Sequence, residues 1–459
     1  MSVARPICFL TLLLGACRTP YQDEPSYLPE LLTREAVPRP EVPPPPPRPG
    51  VSQALSLEEC IEAALRNHRG VRIADRRILI ARDRVDEKLG LLLPKLAAET
   101  RYEARNNDRG STFGGNTFVT GDQAVATAKV SLLVPIYDFG GALNEREAAV
   151  LEVDVAGFAA ARTRQDLTLA VSQAYYRVLE AIRIRGVVDE SLKVVTRQVE
   201  IARDFRAQGI VAASDVLTAE VQEAERRQEL IRASNNVELA KATLNRLMGR
   251  SVDAPLELRD VLEAAPWKGS FEGTLRLAIE ARPDLAALKK QIEIARAEFR
   301  ATRSGFLPKV YAFADYNHST DDFLLNQDWL VGGVVLQVPL FDGGSTMAKL
   351  RQREKEAAEA VDLHDERVDD IVLGLKQNYL LVREAAERVP VARKAIDLGE
   401  ENLRVVRDQY TQGLLTSADV LTEEDRLSRA RTNYFRSLYE YHTAFAGLVH
   451  VAGATPPEK

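Results

Sequence analysis

The stretch DFRAQGIVAASDVLTAE at residues 204–220 returns 204 positions later as DQYTQGLLTSADVLTEE at residues 408–424. Each copy separates two long segments with helical apolar periodicity. Glycine readily takes the left-handed conformation that ends a helix, and a Ser or Asp shortly after it can cap the next helix. The two copies therefore predict the tips of two helical hairpins, at Gly209 and Gly413.

Other matches show that the whole chain is an internal duplication. VPIYDFGG at 134–141 recurs as VPLFDGG at 338–344 with the same shift, whereas LPK at 93–95 recurs at 307–309, which is a shift of 214. The first copy therefore carries about ten extra residues between Lys95 and Val134. A repeat of this kind has to be recognised before a fold is proposed.

The N-terminus has the pattern of an export signal. Arg5 precedes an apolar run at residues 7–14 that is too short to span a membrane. The end of the run also resembles a bacterial lipoprotein signal, in which Cys17 is lipidated; a plain signal peptide cut nearby is the alternative. Residues 17–50 are rich in proline and predict an extended tether behind this lipid anchor, or alternatively a polyproline ligand.

Composition argues against several functions. The net charge is −6 and no basic block is present, which argues against nucleic acid as a partner. The five histidines lack the spacing of metal ligands, and no phosphate-binding loop or nucleophile elbow appears. The sequence therefore predicts no cofactor, no metal and no enzymatic activity. Cys60 has no partner for a disulfide within the mature body and is expected to be a small core residue.

Between the helical segments the period changes to strict alternation. Apolar and charged residues alternate over 98–105, and alternation returns at 124–134, 310–316 and 330–338. We predict β-hairpins at 95–135 and 309–339, with a polar loop at 106–121 in the first. The charged side of the first strand carries Glu99, Arg101, Glu103 and Arg105.

Strands of about ten residues with one apolar and one polar face are typical of a transmembrane barrel. A hairpin that lies on a soluble core is the alternative. Four strands cannot close a barrel, and open edges in lipid would leave backbone groups unpaired. Three chains would supply twelve strands, with the four charged residues in the barrel interior.

The helices are unusually long. The segment 140–208 contains no proline and follows a heptad pattern, and so does the second repeat from Ile371 to Tyr410, which is typical of coiled-coil packing. A helix of this length measures about 100 Å. Pro390, with Gly186 at the equivalent level, predicts a bend in each. Shorter helices are expected at 57–93, 214–248, 274–307 and 416–451.

These lengths predict an order along the chain, with the strands at one end, the tips at the other and the linker at the waist. The signal peptide covers 1–16, the anchor and tether 17–50, the first repeat 51–248, the equatorial linker 249–273, the second repeat 274–451 and the C-terminal tail 452–459.

Together, the two junctions and the two tips resemble those of the TolC-like outer-membrane efflux proteins, over residues 52–451. The resemblance implies a mostly α fold with a transmembrane β portion. It implies a homotrimer in the outer membrane of a Gram-negative bacterium, with a twelve-stranded barrel and a helical tunnel through the periplasm. The tunnel ends in an iris at the helix tips, where a periplasmic adaptor and an inner-membrane pump dock.

The resemblance also implies site residues. In that family an Asp after the tip glycine lines the constriction and a Tyr before it ties the helices together. Asp419 and Tyr410 match in the second repeat, and Asp215 matches in the first, where Arg206 replaces the Tyr. Helix capping is the alternative role for both Asp residues. The implied adaptor-docking tips are Gly209, Val211, Gly413 and Leu415, although Leu415 replaces a basic residue frequent in the family.

The predicted function is a passive exit duct of a tripartite efflux system. Two alternatives remain open at this stage: a duct for type I protein secretion, and a coiled-coil lipoprotein scaffold that spans the periplasm without conducting. The charged strand face favours a duct, because a scaffold needs no wet interior.

Overall fold

The computed structural model describes residues 54–453 except 108, 262, 264–266 and 268. Cys17, the export signal, the tether and residues 454–459 lie outside the described residues. The first repeat contains α1 Leu57–Asn67, α2 Arg69–Leu89, β1 Lys95–Ala104, β2 Arg109–Phe113, β3 Asn116–Gly121, β4 Ala124–Tyr137, α3 Gly141–Ala207 and α4 Ala213–Leu247. The second contains α5 Phe271–Ala281, α6 Pro283–Ser304, β5 Lys309–Ser319, β6 Asp328–Gln337, α7 Ser345–Thr411 and α8 Ser417–Val451.

The two long helices, α3 and α7, have 67 residues each, which corresponds to about 100 Å. Helix α3 packs against α4 to form the first hairpin, and α7 packs against α8 to form the second. Helix α3 also contacts α8, so the two hairpins lie side by side. Both long helices continue without a break through Gly186 and Pro390, and the bends expected there stay predictions.

The single helices expected before each hairpin of strands are each divided in two, so that expectation was wrong. In the first repeat His68 has an extended backbone and its Nδ1 accepts a hydrogen bond from the Gly70 N–H (3.1 Å) to cap α2. In the second, the break lies at Arg282, directly before Pro283. A residue that precedes proline is driven out of the helical region by the proline ring.

The four strands β1, β4, β5 and β6 form one antiparallel sheet in the order β1-β4-β5-β6. Glu99 lies opposite Lys129, and Lys129 lies opposite Asn317. All odd-numbered residues of β1 therefore share a face with Lys129 of β4 and with Asp315 and Asn317 of β5. Strands β1 and β6 are the open edges of this sheet.

The loop expected at 106–121 contains a second, two-stranded sheet, β2–β3. Phe113 pairs with Asn116 around a two-residue turn of Gly114 and Gly115, both with positive φ (62° and 83°). Two consecutive residues in this conformation make the tight turn that suits the twist of a β-hairpin. The extra residues of the first repeat therefore form a hairpin of their own.

Each change from strand to long helix is organised by an Asp. Asp138 accepts hydrogen bonds from the Gly140 and Ala142 N–H groups (3.1 and 2.6 Å). Asp342 accepts them in the same way from the N–H groups of Gly344 and Thr346 (3.0 and 2.7 Å). Gly140 and Gly344 both have φ of 84°, a conformation that costs glycine little. The repeated junction motif thus encodes a repeated helix start.

The linker between the repeats packs against the middle of the long helices. Leu55 and Leu258 form a parallel bridge, and the Tyr175 hydroxyl donates to both the Leu55 and the Arg259 carbonyl oxygens (3.2 and 2.5 Å). Trp267 packs edge-on against Tyr379 with ring centroids 5.7 Å apart.

Cys60 is fully buried in the cluster beneath α1, as expected, and burial raises the pKa of its thiol to about 12. No described helix is long and apolar enough to cross a membrane.

Candidate functional site at the helical tips

The two tips have the same backbone geometry. Gly209 and Gly413 have φ of 74° and 76°. The N–H of the next residue donates back to the helix in each case, Ile210 to the Phe205 carbonyl (2.9 Å) and Leu414 to the Gln409 carbonyl (3.0 Å). This bonding satisfies carbonyls at the end of a helix, and the left-handed glycine makes it possible.

Tyr410 joins the two hairpins within one chain. Its side chain is 3% exposed and belongs to an apolar cluster that includes Val420 and Leu427 of α8. It also packs against α3, where the ring centroid of Phe205 lies 5.6 Å away. Sequence reasoning selected Tyr410 but missed Phe205, because the contact depends on how α3 and α7 pack.

The Tyr410 hydroxyl lies beside a polar pair. Gln198 Nε2 donates to Ser417 Oγ (3.2 Å), and among the described residues the Tyr410 hydroxyl itself completes no hydrogen bond. Burial raises the pKa of Tyr410 and the negative charge of Asp215 acts in the same direction, whereas the adjacent Ser417 and Gln198 side chains act against it. The structure thus places two of the predicted site residues, Tyr410 and Asp215, close together.

The two Asp residues differ in what they bind. The Asp419 carboxylate accepts hydrogen bonds from the Thr416 N–H (2.8 Å) and Thr416 hydroxyl (2.7 Å), and these bonds lower its pKa. Asp419 therefore caps helix α8. In the first repeat the cap position is Ala212, which forms no side-chain cap, and Asp215 lies half-buried in the first turn. Helix capping, the alternative role for both residues, is therefore found for Asp419 and not for Asp215.

The polar face of the sheet is a row of paired charges. Arg101 contacts Glu99 (3.0 Å) and Glu103 (3.4 Å), and Arg105 contacts Glu103 (3.1 Å). On the neighbouring strands Lys129 contacts Asp315 (2.9 Å). The opposite face of the same strands carries apolar side chains such as Leu96, Val130 and Leu336.

Comparison with known proteins agrees with this architecture. The outer membrane efflux protein family matches residues 60–250 and 274–454, which are the two repeats. This chain belongs to that family. The resemblance seen in the repeated motifs is thereby confirmed.

Relatives of this chain carry different names. It is 24% identical to the alkaline protease secretion protein AprF of Pseudomonas aeruginosa, over 72% of this chain and 70% of AprF. It is 22% identical to the outer membrane protein TolC of Escherichia coli, over 85% and 80%. The fold is that of the CmeC outer membrane channel of Campylobacter jejuni, with a TM-score of 0.77, 13% identity and coverage of 86% and 85%.

The exposed apolar side chains at the tips of this chain are shifted by one residue from the predicted docking positions Val211 and Leu415. Ile210 and Leu414, directly after the glycines, are 57% and 69% exposed. Val211 and Leu415 are half-buried. A partner that docks on the tips would meet Ile210 and Leu414 first.

Sequence reasoning also missed a repeated ion pair near the tips. Arg203 contacts Glu220 in the first hairpin (2.7 Å), and Arg407 contacts Glu424 in the second (3.4 Å). The residues of the two pairs are related by the 204-residue offset. The repeat offset could have revealed both ion pairs in the sequence. It does not show that the two pairs differ in burial.

Proposed function

We propose that three copies of this chain form an outer-membrane exit duct that conducts substrates passively. The observation that carries the proposal is the four-stranded sheet with two open edges, one apolar face and one charged face. Four strands cannot close on themselves, and open edges in lipid leave backbone groups unpaired. Pairing of β6 with β1 of the next copy would remove both edges and give twelve strands.

The helices support the same assembly. By their contacts they form a row in the order α4-α3-α8-α7. Helix α7, at one end of the row, carries exposed leucines and valines at steps of seven or eleven residues, which keep them on one side of the helix: Leu373, Leu380, Val391, Leu398 and Val405. Helix α4, at the other end, exposes Leu217, Val221, Ile231 and Leu239. A seam between α7 of one copy and α4 of the next would close the row into a tunnel.

The tips would then form the periplasmic gate, with Tyr410, Asp215 and Asp419 as its residues. The Tyr410 contact holds the second hairpin against the first, and opening would separate them while the glycine turns keep each hairpin intact. Exposed Ile210 and Leu414, beside Gly209 and Gly413, offer a periplasmic adaptor an apolar contact, and the inner-membrane pump would act through that adaptor. Lipidation of Cys17 would hold the N-terminus at the outer membrane.

Protein secretion is the second candidate. AprF is described as a protease secretion protein, and the duct architecture would serve either cargo. Efflux and type I secretion would then differ in the pump and adaptor that engage the same tips.

The test is single-channel conductance of the purified protein in a planar bilayer, with chemical cross-linking of the same sample. We expect a cross-linked trimer and a small conductance. Trimeric, inserted protein that conducts nothing, even in a variant with a weakened tip, would contradict the duct and favour the scaffold.

A further inference from the structure

Glu424 occupies an unusual position for a carboxyl group. It lies on α8, is 4% exposed, and is held between the second hairpin and helix α3 of the first. From α7 the Arg407 guanidinium approaches to 3.4 Å. From α3 the Ser191 hydroxyl and Glu190 face it, so the carboxyl lies where the two hairpins meet.

The charged groups around Glu424 are mostly engaged with one another. On α8, Arg431 contacts Glu190 of α3 (3.1 Å) and Glu400 of α7 (2.9 Å). The neighbouring acids of α8 have partners of their own, since Glu423 accepts from Asn402 (2.6 Å) and Asp425 pairs with Arg226 of α4. Arg407 is thus the cation in direct contact with Glu424, at a long distance, and Arg431 adds a weaker favourable charge while it is paired with Glu190 and Glu400.

The duplication provides an internal comparison. Glu220 is the equivalent of Glu424, and Arg203 is the equivalent of Arg407. In the first hairpin the Glu220 side chain is 38% exposed, whereas in the second the Glu424 side chain is 5% exposed. The glutamate of this ion pair is therefore solvent-exposed in the first hairpin, whereas in the second it is buried at the contact between the hairpins.

We propose that Glu424 is a proton-sensitive contact between the hairpins, so that protonation of its carboxyl holds the tip closed and ionisation favours opening. The inference rests on the proposed gate, because it assigns a regulation to the same tip. A carboxyl enclosed by three helices is costly to ionise unless it is well paired. Separation of the hairpins would expose the Glu424 carboxyl to water and so lower the cost of its ionisation.

The sign of the pH effect follows from the two states. Burial raises the pKa of Glu424 in the closed tip and Glu190 acts in the same direction, although Arg407, the Ser191 hydroxyl and Arg431 act against it. In an open tip the carboxyl would return to its ordinary value near 4.5. The closed state therefore binds the proton more tightly and is favoured by acid. As the pH rises from the ordinary value through the raised one, closure is weakened by up to about tenfold per pH unit for each chain.

The first test measures the contact without relying on conduction. Hydrogen exchange of peptides covering residues 415–430 is followed in the full-length protein from pH 5 to pH 8, corrected for the chemical exchange rate. We expect wild-type protection to fall as the pH rises. Glu424→Gln, which mimics the protonated form, should stay protected throughout, whereas the matched control Glu220→Gln should follow the wild type.

A second variant guards against a simple folding defect. Arg407→Gln removes the nearer of the two cations that oppose the pKa rise, so the midpoint of the pH profile should move to higher pH. A Glu424→Gln profile with the wild-type pH dependence would overturn the proposal. So would an equal loss of pH dependence in Glu220→Gln.

Conductance of the same proteins separates this inference from the duct itself. Wild type should open less at pH 5 than at pH 8, and Glu424→Gln should open equally little at both. The expected exchange profile with no conductance in any protein would overturn the duct and support the contact. A conductance with a pH profile that Glu424→Gln leaves unchanged would support the duct and overturn the contact.

Discussion

The ring of Tyr410 fills the space between the two hairpins, whereas its hydroxyl completes no hydrogen bond among the described residues. Tyr410→Ala should therefore loosen the tip by roughly 3 kcal/mol, the usual loss for a large buried ring. Tyr410→Phe should be nearly neutral, because it removes a buried hydroxyl that lacks a partner. Single-channel recordings should show a larger mean conductance for the Ala variant only. An equal increase in both variants would show that the hydroxyl, and not the ring, holds the two hairpins together.

A second residue-scale prediction concerns Asp284, which lies in the first turn of α6 close to the C-terminal end of α8. Arg282 donates to Asp284 (2.6 Å) and to the Val451 carbonyl (2.8 Å), and Arg367 also reaches Asp284 (2.8 Å). Burial alone would raise the pKa of Asp284, but these arginines hold it well below its usual range. Asp284→Asn leaves a buried guanidinium without its counter-ion and should cost about 3–5 kcal/mol of unfolding free energy.

Denaturant unfolding at pH 7 would measure this cost. The control is Asp397→Asn, whose partner Arg393 is 3.9 Å away on the exposed surface of α7 and which should change stability by less than about 0.5 kcal/mol. Because the folded-state pKa of Asp284 is depressed, its contribution should be constant from pH 5 to 8 and disappear only in strong acid. Equal effects of both variants would contradict the special role of Asp284.

At the scale of elements, the exposed heptad stripe of α7 gives a test of the assembly. Leu398 is 63% exposed in one chain, so Leu398→Glu should leave the chain folded while placing a charge in the proposed seam. We expect loss of the trimer by light scattering in detergent. Leu414→Glu makes the same change at an exposed tip residue outside the stripe, and that variant should remain trimeric. A fully trimeric Leu398→Glu protein would place the seam elsewhere.

The elements also show what sequence patterns can supply. Tips, strand alternation and strand-to-helix junctions are local, so Gly209, Asp138 and their repeats identify them directly. The break before Pro283 was readable from the proline, but the break at His68 depends on its side chain capping the next helix. The β2–β3 hairpin was hidden in a polar segment, although Gly114 and Gly115 carry its turn signal. Burial of Glu424 requires the packing of α3 on α8 and has no local signature.

At the scale of the whole molecule, the charges of the sheet bear on ion selectivity. On its polar face three acids (Glu99, Glu103, Asp315) are paired with three bases (Arg101, Arg105, Lys129). Strand alternation also places Lys95 and Lys309 on this face, at the end where the helices join. A barrel lined by these residues would have no preference for cations. Asp419 carries an exposed charge at the tip, and three copies around one axis would favour cations.

Reversal potentials across a salt gradient would test whether the cation preference arises at the tip and not in the barrel. Asp419→Ala should lower the cation preference several-fold. The double change Glu103→Gln with Arg101→Gln keeps the net charge of the sheet and should leave the preference nearly unchanged. A large change in the double variant would place the selective region in the barrel.

The Gly114–Gly115 turn lies beyond the end of the sheet that faces away from the helices, and Phe113 beside it is 84% exposed. Side chains added at either glycine would meet nothing within 4 Å. In the proposed orientation this turn projects toward the external medium. Because both glycines have positive φ, a single substitution there would be strained, but the open space around the turn can accept an inserted epitope tag. An antibody to such a tag, added to intact cells, would report which way the protein faces.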